Sequence, residues 1–221
     1  MENFLAFPLQ HLPFIALVLI IAFTVHEFAH AYSAYKFGDM TAYNEGRVTL
    51  NPRVHLDVLG TILILLAGFG WAKPVPVNPS RFKYPRAMGI VVSLLGPVSN
   101  LLLAVIGLLI FHLLDNSGVL IDASRGVQMA VQTFMSYFIY LNMLLFLFNL
   151  IPLPPLDGYR ILADLLPLRA RYKIEQYAQW GSYIFLLLVF IPPLRQVTLD
   201  PYLSLIPQII EFFSSLIGTI F

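Results

Sequence analysis

Long stretches without a formal charge restrict how this chain can fold. Three of them cover residues 87–114, 126–156 and 177–194, and a fourth, residues 12–35, carries the single charge of Glu27. A helix needs about 20 apolar residues to cross ~30 Å of hydrocarbon, so three stretches are comfortable spans and 177–194 is near the lower limit. The chain is 58% hydrophobic and 11% charged, whereas soluble domains are about 25% charged. We predict an all-α polytopic membrane protein embedded in the lipid bilayer.

Three further segments complete the predicted architecture. Residues 202–221 are apolar but contain Pro207, so they form either a fifth span or an interfacial helix. Residues 58–72 are short and glycine-containing, which favours a re-entrant segment. Residues 43–50 combine a turn with β-prone residues and predict a small β-hairpin at the membrane surface. We expect four or five transmembrane helices, one re-entrant segment and one hairpin, in a single domain over residues 1–221 without a separate soluble domain.

The loop charges predict the orientation of the chain in the membrane. Residues 71–86 hold four basic and no acidic side chains, residues 158–175 hold four against two, and residues 115–125 hold one against two. Basic loops stay in the cytoplasm. The pattern is self-consistent if residues 58–72 are re-entrant, because both basic loops then lie inside and the N-terminus lies outside.

The overall charge and the absence of cysteine exclude several classes of function. A net charge of +1, with no basic cluster interleaved with aromatic residues, gives no reason to expect a nucleic-acid partner. The sequence contains no cysteine, which excludes disulfide scaffolds, thiol catalysis and cysteine zinc sites. Any metal ion must therefore be held by histidines and carboxylates.

The sequence HEFAH at residues 26–30, inside the first span, is the strongest chemical signal. Side chains at i and i+4 share a helix face, so His26 and His30 can bind one metal ion. Glu27 lies ~100° around the helix from His26 and can act as general base on a water there. This pattern also occurs by chance on solvated helices. Within a membrane span, however, ionisable side chains cost a few kcal/mol and are functional candidates by default.

A third metal ligand is expected, because catalytic zinc takes three protein ligands and keeps one position open. Asp157 is the favoured candidate. It follows a long uncharged run and a proline-rich segment that cannot form a regular helix. Non-helical backbone at membrane depth must be buried in protein or line a wet cavity, which is where a metal ligand would lie. Alternatively, Asp157 caps the helix that follows. Position or surroundings disfavour the remaining candidates, which are His11, His55, Asp57 and His112.

Two asparagines are candidates for stabilising an oxyanion. Asn100 lies inside the second span and Asn149 at the end of the third. Side-chain amides can donate hydrogen bonds to the developing charge in acyl transfer. Interhelical hydrogen bonding, frequent for asparagine in membranes, is an equally good interpretation of either residue.

Together these motifs resemble the site-2 protease family of intramembrane zinc metalloproteases, in its short bacterial form. The matching segments are HEFAH at 26–30, residues 46–60, residues 73–79, GPVSN at 96–100, and Asn149 followed by LDG at 156–158. The resemblance covers most of residues 20–165. Val58 departs from it, since the family favours proline there, and the sequence beyond Tyr177 has no matching motif.

The resemblance implies one Zn²⁺ per chain, held by His26, His30 and Asp157, with Glu27 as general base. It implies an intramembrane endopeptidase of the cell membrane that cuts a substrate's transmembrane helix near the cytoplasmic side. The active site is then in the cytoplasmic half of the bilayer, and the partner is a membrane-protein substrate. Either Asn100 or Asn149 would assist as an oxyanion donor.

Two other functions are open at this point. An intramembrane metal or proton carrier would also use buried histidines and carboxylates, but at staggered depths on several spans. An inactive relative could act as a membrane scaffold, although the presence of Glu27 argues against it. The ionisable groups of this chain gather at one predicted depth, which favours an enzyme.

Overall fold

The computed structural model describes residues 7–220, which form helices, turns and loops and contain no β-strand. The helices are α1 (Leu12–Lys36), α2 (Thr41–Asn44), α3 (Val58–Ala67), α4 (Pro85–Asn116), α5 (Arg125–Asn149), α6 (Asp157–Leu165), α7 (Leu168–Gln176), α8 (Ala178–Phe190), α9 (Pro192–Leu203) and α10 (Leu205–Gly218). The predicted outward N-terminus, residues 1–6, lies outside the described residues. A single domain over residues 1–221 stays a prediction.

Four helical stretches are long and apolar enough to cross a membrane: Leu9–Lys36, Pro85–Asn116, Arg125–Asn149 and Pro192–Ile220. The prediction of an all-α polytopic protein is therefore confirmed. The last span begins earlier than residue 202, because α9 and α10 follow each other almost without interruption.

The expected span at residues 177–194 is not one continuous helix. Helix α8 has 13 residues, which is only ~20 Å at 1.5 Å per residue. It ends at Phe190 because two prolines follow, and Ile191 before them is extended, with φ −95° and ψ 106°. A residue that precedes proline is sterically disfavoured in the helical region.

The core lies where α1, α4 and α5 pack together, with α10 against α4 and α5. One buried cluster joins α1 to α3 and α5 and contains Ile15, Val18, Leu19, Phe23, Ile64, Phe138 and Leu141. A second cluster joins α4, α5 and α10 through Ala104, Met143, Leu147 and Ile206. This packing holds the middle of α1 rigidly between two other long helices.

The segment over residues 58–72 turns back on itself. Helix α3 begins after Asp57, whose side chain accepts a hydrogen bond from the Gly60 N–H at 2.7 Å, and it ends at Gly68, which has φ +72°. The returning chain touches the start of the helix so closely that a Cβ atom on Gly60 would overlap the Trp71 backbone. Beyond this contact, the Lys73 N–H donates to the His55 carbonyl at 2.9 Å. Both ends of the segment therefore meet, which is the geometry that a re-entrant segment requires.

The predicted β-hairpin at residues 43–50 is wrong. Residues 41–44 form helix α2, and Gly46 turns the chain with φ +67°. The Arg47 N–H then donates to the Ala42 carbonyl at 2.8 Å. The first half of the segment thus bonds within a helical turn, and no strand forms over residues 43–50.

Candidate metal centre

Three buried side chains from two helices converge at the centre of the molecule. His26 and His30 lie one turn apart on α1, and their Nε2 atoms are 3.0 Å from each other. Each Nε2 atom is 3.2 Å from Oδ2 of Asp157, the first residue of α6. The ligand atoms of the three residues all lie within 4.8 Å of one another. The i, i+4 spacing accounts for the two imidazoles, and the fold adds the carboxylate.

The start of α6 is held against the end of α5, which places Asp157. The loop between the two helices is so tight that a Cβ atom on Gly158 would overlap the carbonyls of Leu150 and Ile151. The N-cap residue of α6 is Leu156, and no side chain caps the helix. The Asp157 carboxylate is therefore directed at the imidazoles rather than at the N–H groups of its own helix.

The far side of each imidazole faces a hydrogen-bond acceptor. Nδ1 of His26 is 2.7 Å from the Asn100 side-chain oxygen, and Nδ1 of His30 is 2.8 Å from the Val92 carbonyl. An acceptor at Nδ1 requires a proton there, and in the neutral ring this leaves the Nε2 lone pair able to bind a metal ion beside the Asp157 carboxylate. Metal-binding histidines are oriented in the same way by carbonyl or carboxylate partners. Two nitrogens and one carboxylate oxygen fit the preference of zinc.

Asn100 belongs to a hydrogen-bond network of two asparagines, of which the sequence indicated only Asn100. Its Nδ2 donates to the Ala22 carbonyl at 3.2 Å and to Oδ1 of Asn142 at 3.0 Å. Asn142 on α5 donates in turn to the Phe138 carbonyl at 2.8 Å. The Phe138 carbonyl requires an amide donor from Asn142, so the Asn142 oxygen faces Asn100. The Ala22 carbonyl and this oxygen both require the amide donor of Asn100, so the Asn100 oxygen faces His26. Asn142 is an amide within an uncharged span, which marks it as a candidate for interhelical hydrogen bonding. The sequence does not indicate that its partner is Asn100, 42 residues away.

Gly96 lets α4 approach the imidazoles closely. A Cβ atom at this position would overlap the rings of both His30 and His26. Any larger residue would push α4 away and break the Asn100 and Val92 contacts. The glycine of the GPVSN segment is therefore required by the fit of the two helices.

Glu27 lies beside the three clustered residues and faces a different partner. Its side chain is buried, and Oε2 accepts a hydrogen bond from the Val75 N–H at 3.0 Å. Val75 belongs to a segment without helix or strand that follows residues 58–72. The sequence did not reveal this contact, because it joins residues 48 positions apart.

A cavity of about 700 Å³ opens onto the clustered side chains. Its wall is mostly apolar and includes Phe23, Ile64, Leu141, Phe148 and Phe185, together with His26, Glu27, His30 and Asp157. Asn149 also lines the cavity, and its Nδ2 donates to the Leu145 carbonyl at 3.0 Å. Of the two candidate oxyanion donors, Asn149 faces the cavity, whereas the Asn100 amide is fully buried behind His26.

The histidines outside the motif have other partners. His11 contacts Tyr137, His112 contacts Asn116, and Nε2 of His55 is 2.7 Å from the Thr49 carbonyl. Burial lowers the pKa of His55 below its ordinary value, so this ring is neutral near pH 7. The structure brings none of the three to the cluster.

Similarity to known proteins supports a protease. The family described as Peptidase family M50 matches residues 117–192. "Putative zinc metalloprotease YwhC" of Bacillus subtilis (strain 168) is 52% identical over 204 residues, which cover 92% of each chain. "Putative zinc metalloprotease Rip2" of Mycolicibacterium smegmatis is 29% identical over 197 residues, or 86% of this chain and 72% of the relative. No solved structure matches the chain.

Fold and site together define a multi-pass membrane protein with a buried group of two histidines and one aspartate that could hold a metal ion. The chain belongs to the site-2 protease family, peptidase family M50, and it is a zinc metalloprotease. The resemblance inferred from its motifs is confirmed. Of the three functions open from the sequence, the enzyme is the one that these relatives support.

Proposed function

We propose that the protein is an intramembrane endopeptidase that hydrolyses peptide bonds in the transmembrane segments of other membrane proteins. One observation carries the proposal: Glu27 and the His26–His30–Asp157 cluster open into a mostly apolar cavity between membrane-spanning helices. An apolar wall suits a hydrophobic substrate segment. The buried polar groups are the exception in that wall and mark where chemistry occurs.

We assign one Zn²⁺ per chain to His26, His30 and Asp157. A zinc ion held there would supply Lewis-acid chemistry, polarising the peptide carbonyl and lowering the pKa of the attacking water. Glu27 then accepts the proton from the attacking water and delivers it to the leaving amine as the peptide bond breaks. Its place next to the ligands on the same helix, but outside their cluster, suits a base rather than a ligand.

Different roles are assigned to the two asparagines. Asn149 lines the cavity and is the proposed donor to the oxyanion that forms on the substrate carbonyl. The amide of Asn100 is occupied by His26, Ala22 and Asn142, which suits orientation of the His26 ring. Asn100, first considered as a catalytic donor, is thus better described as a positioning residue for the metal site.

The experiment that tests this function compares membrane-protein fragments from cells with the wild-type protein and cells with Glu27→Gln. We expect fragments with new ends inside transmembrane segments, near their cytoplasmic ends, in wild-type cells only. Purified protein in liposomes should then cut one such segment directly. New ends confined to soluble loops would contradict an intramembrane site.

The proposed location is the cell membrane, with residues 115–125 outside and the metal centre in the cytoplasmic half. The loop charges support this orientation. Gly218 of α10 lies near His112, so the end of α10 and the predicted outer end of α4 lie at the same face of the bilayer. With four spans, an even number, the end of α10 lies on the same side of the membrane as the start of α1.

Single cysteines test the orientation without background, because the sequence has none of its own. Exposed positions are available at Asn44, Ser80, Asn116 and Lys173. In intact cells a membrane-impermeant maleimide should label only position 116, and all four positions after permeabilisation. Labelling of position 80 but not position 44 would make residues 58–72 a true span and overturn this topology.

A further inference from the structure

Residues 72–78, here called the proline strap, form neither helix nor strand and pass beside α1, where Val75 contacts Glu27 and Ala31. Prolines at 74 and 76 leave N–H groups on only five of these seven residues. Three of the five donate hydrogen bonds: Lys73 to the His55 carbonyl at 2.9 Å, Val75 to Glu27 Oε2 at 3.0 Å, and Asn78 to Asp39 Oδ2 at 2.6 Å. The strap is therefore tied down at its start, its middle and its end.

Arg47 holds the strap from the opposite side. Its guanidinium donates to the Lys73 carbonyl at 2.7 Å and to the Pro74 carbonyl at 3.2 Å. The residue is only 3% exposed, its Nε has no hydrogen-bond partner, and within residues 7–220 it forms no ion pair. A buried charge without a carboxylate partner is costly. Its interaction with the strap is the contact that compensates this cost.

The register of the strap is specified by its prolines. The Val75 side chain packs against Ala31 and Ala42, and Ala31 is one turn beyond Glu27 on α1. Shifting the strap by one residue in either direction would place Pro74 or Pro76 opposite Glu27, and neither has an N–H to donate. Of these three neighbouring registers, only the observed one gives the carboxylate a backbone donor.

We propose that the proline strap positions the Glu27 carboxylate for catalysis, with Val75 and Arg47 as the positioning residues. The Val75 N–H holds one carboxylate oxygen in a charge-assisted hydrogen bond and leaves the other available to the attacking water. Arg47 fixes the two carbonyls that precede Val75 and thereby keeps this N–H aimed at Glu27. The inference rests on the proposed role of Glu27 as general base.

Kinetics of proline variants test the role of the N–H. Val75→Pro removes the donor, and we expect kcat to fall about 10²-fold, the lower end of what a positioned base contributes, with KM and zinc content unchanged. Val77→Pro is the matched control, because it adds a proline to the strap without touching Glu27, and it should retain near-wild-type kcat. Equal losses in both variants, or loss of zinc with kcat in Val75→Pro, would overturn the inference.

A second pair of variants tests Arg47. Arg47→Met should lower kcat by about tenfold or more at unchanged zinc content, because a loosened strap presents the N–H less often. Arg53→Met is the control, since Arg53 is exposed and binds no part of the strap. A wild-type kcat in Arg47→Met would exclude the proposed role of this arginine.

Amide hydrogen exchange of the full chain tests the contact without any activity measurement. Peptides covering residues 72–78 should gain exchange equivalent to one amide in Glu27→Ala, but not in Glu27→Gln, whose side-chain oxygen still accepts. Identical exchange in Glu27→Ala and wild type would show that the strap does not bind Glu27. If Glu27→Gln still cleaves substrate, the proposed function fails instead, so the two failures are distinguishable.

Discussion

Glu27→Gln is expected to lower kcat for peptide cleavage by about 10²–10⁴-fold, the usual contribution of a general base, while the protein keeps its zinc. The amide cannot accept a proton from water at neutral pH. Glu27 lies outside the cluster formed by His26, His30 and Asp157, so its neutralisation removes no ligand. Parallel measurements of zinc per chain and of turnover in liposomes check both halves of the prediction.

The variant is well matched to the wild type in structure. Glutamine has almost the same volume as glutamate, and its oxygen can still accept from the Val75 N–H that now binds Oε2. Thermal unfolding in detergent should therefore be unchanged. Loss of zinc together with activity would make Glu27 a ligand and would refute the separation of roles proposed above.

Asp157→Ala is expected to remove both zinc and activity. Changes to groups that only orient a metal ligand cost about 10–100-fold in metal affinity, so loss of a direct ligand should weaken zinc binding more than about 100-fold. The Asp157 carboxylate is 3.2 Å from both Nε2 atoms, and no second carboxylate belongs to the described cluster. Zinc titration against a competing chelator measures the change.

Asp164→Ala is the matched control for this experiment. Asp164 lies on the same helix and is also 8% exposed, but its Oδ1 accepts a hydrogen bond from Arg171 at 2.6 Å. Zinc affinity in Asp164→Ala should remain near the wild-type value, although the C-terminal end of α6 loses its ion pair with Arg171. Full zinc occupancy in Asp157→Ala would show that Asp157 is a structural residue and that another residue supplies the third ligand.

Much of the site could be predicted because its central motif is local. His26, Glu27 and His30 lie within one turn and a half of helix, so their relative placement follows from helix geometry alone. The favoured third ligand was inferred from its surroundings, an uncharged run and a proline-rich segment before Asp157. Its role stays a prediction, but the structure brings its carboxylate to the two imidazoles.

The β-hairpin failed for a reason that local sequence cannot reveal. Residues 43–50 have β-prone side chains, but a strand needs a partner for its backbone. In the structure Arg47 turns inward to the carbonyls of Lys73 and Pro74, more than 25 residues further along the chain. A tertiary contact thus overrode the local preference.

The sequence by itself determined the environment and the class of this protein. Apolar length predicts membrane spans, and the spacing of His26 and His30 predicts a shared ligand face, because both are properties of a single segment. Only the tertiary structure decided which groups complete the site. Asp157 meets His30 from 127 residues away, Asn142 orients Asn100, and the Val75 N–H meets Glu27. These contacts depend on how whole helices and the strap pack against one another. The spacing of these residues along the chain does not show that their side chains meet.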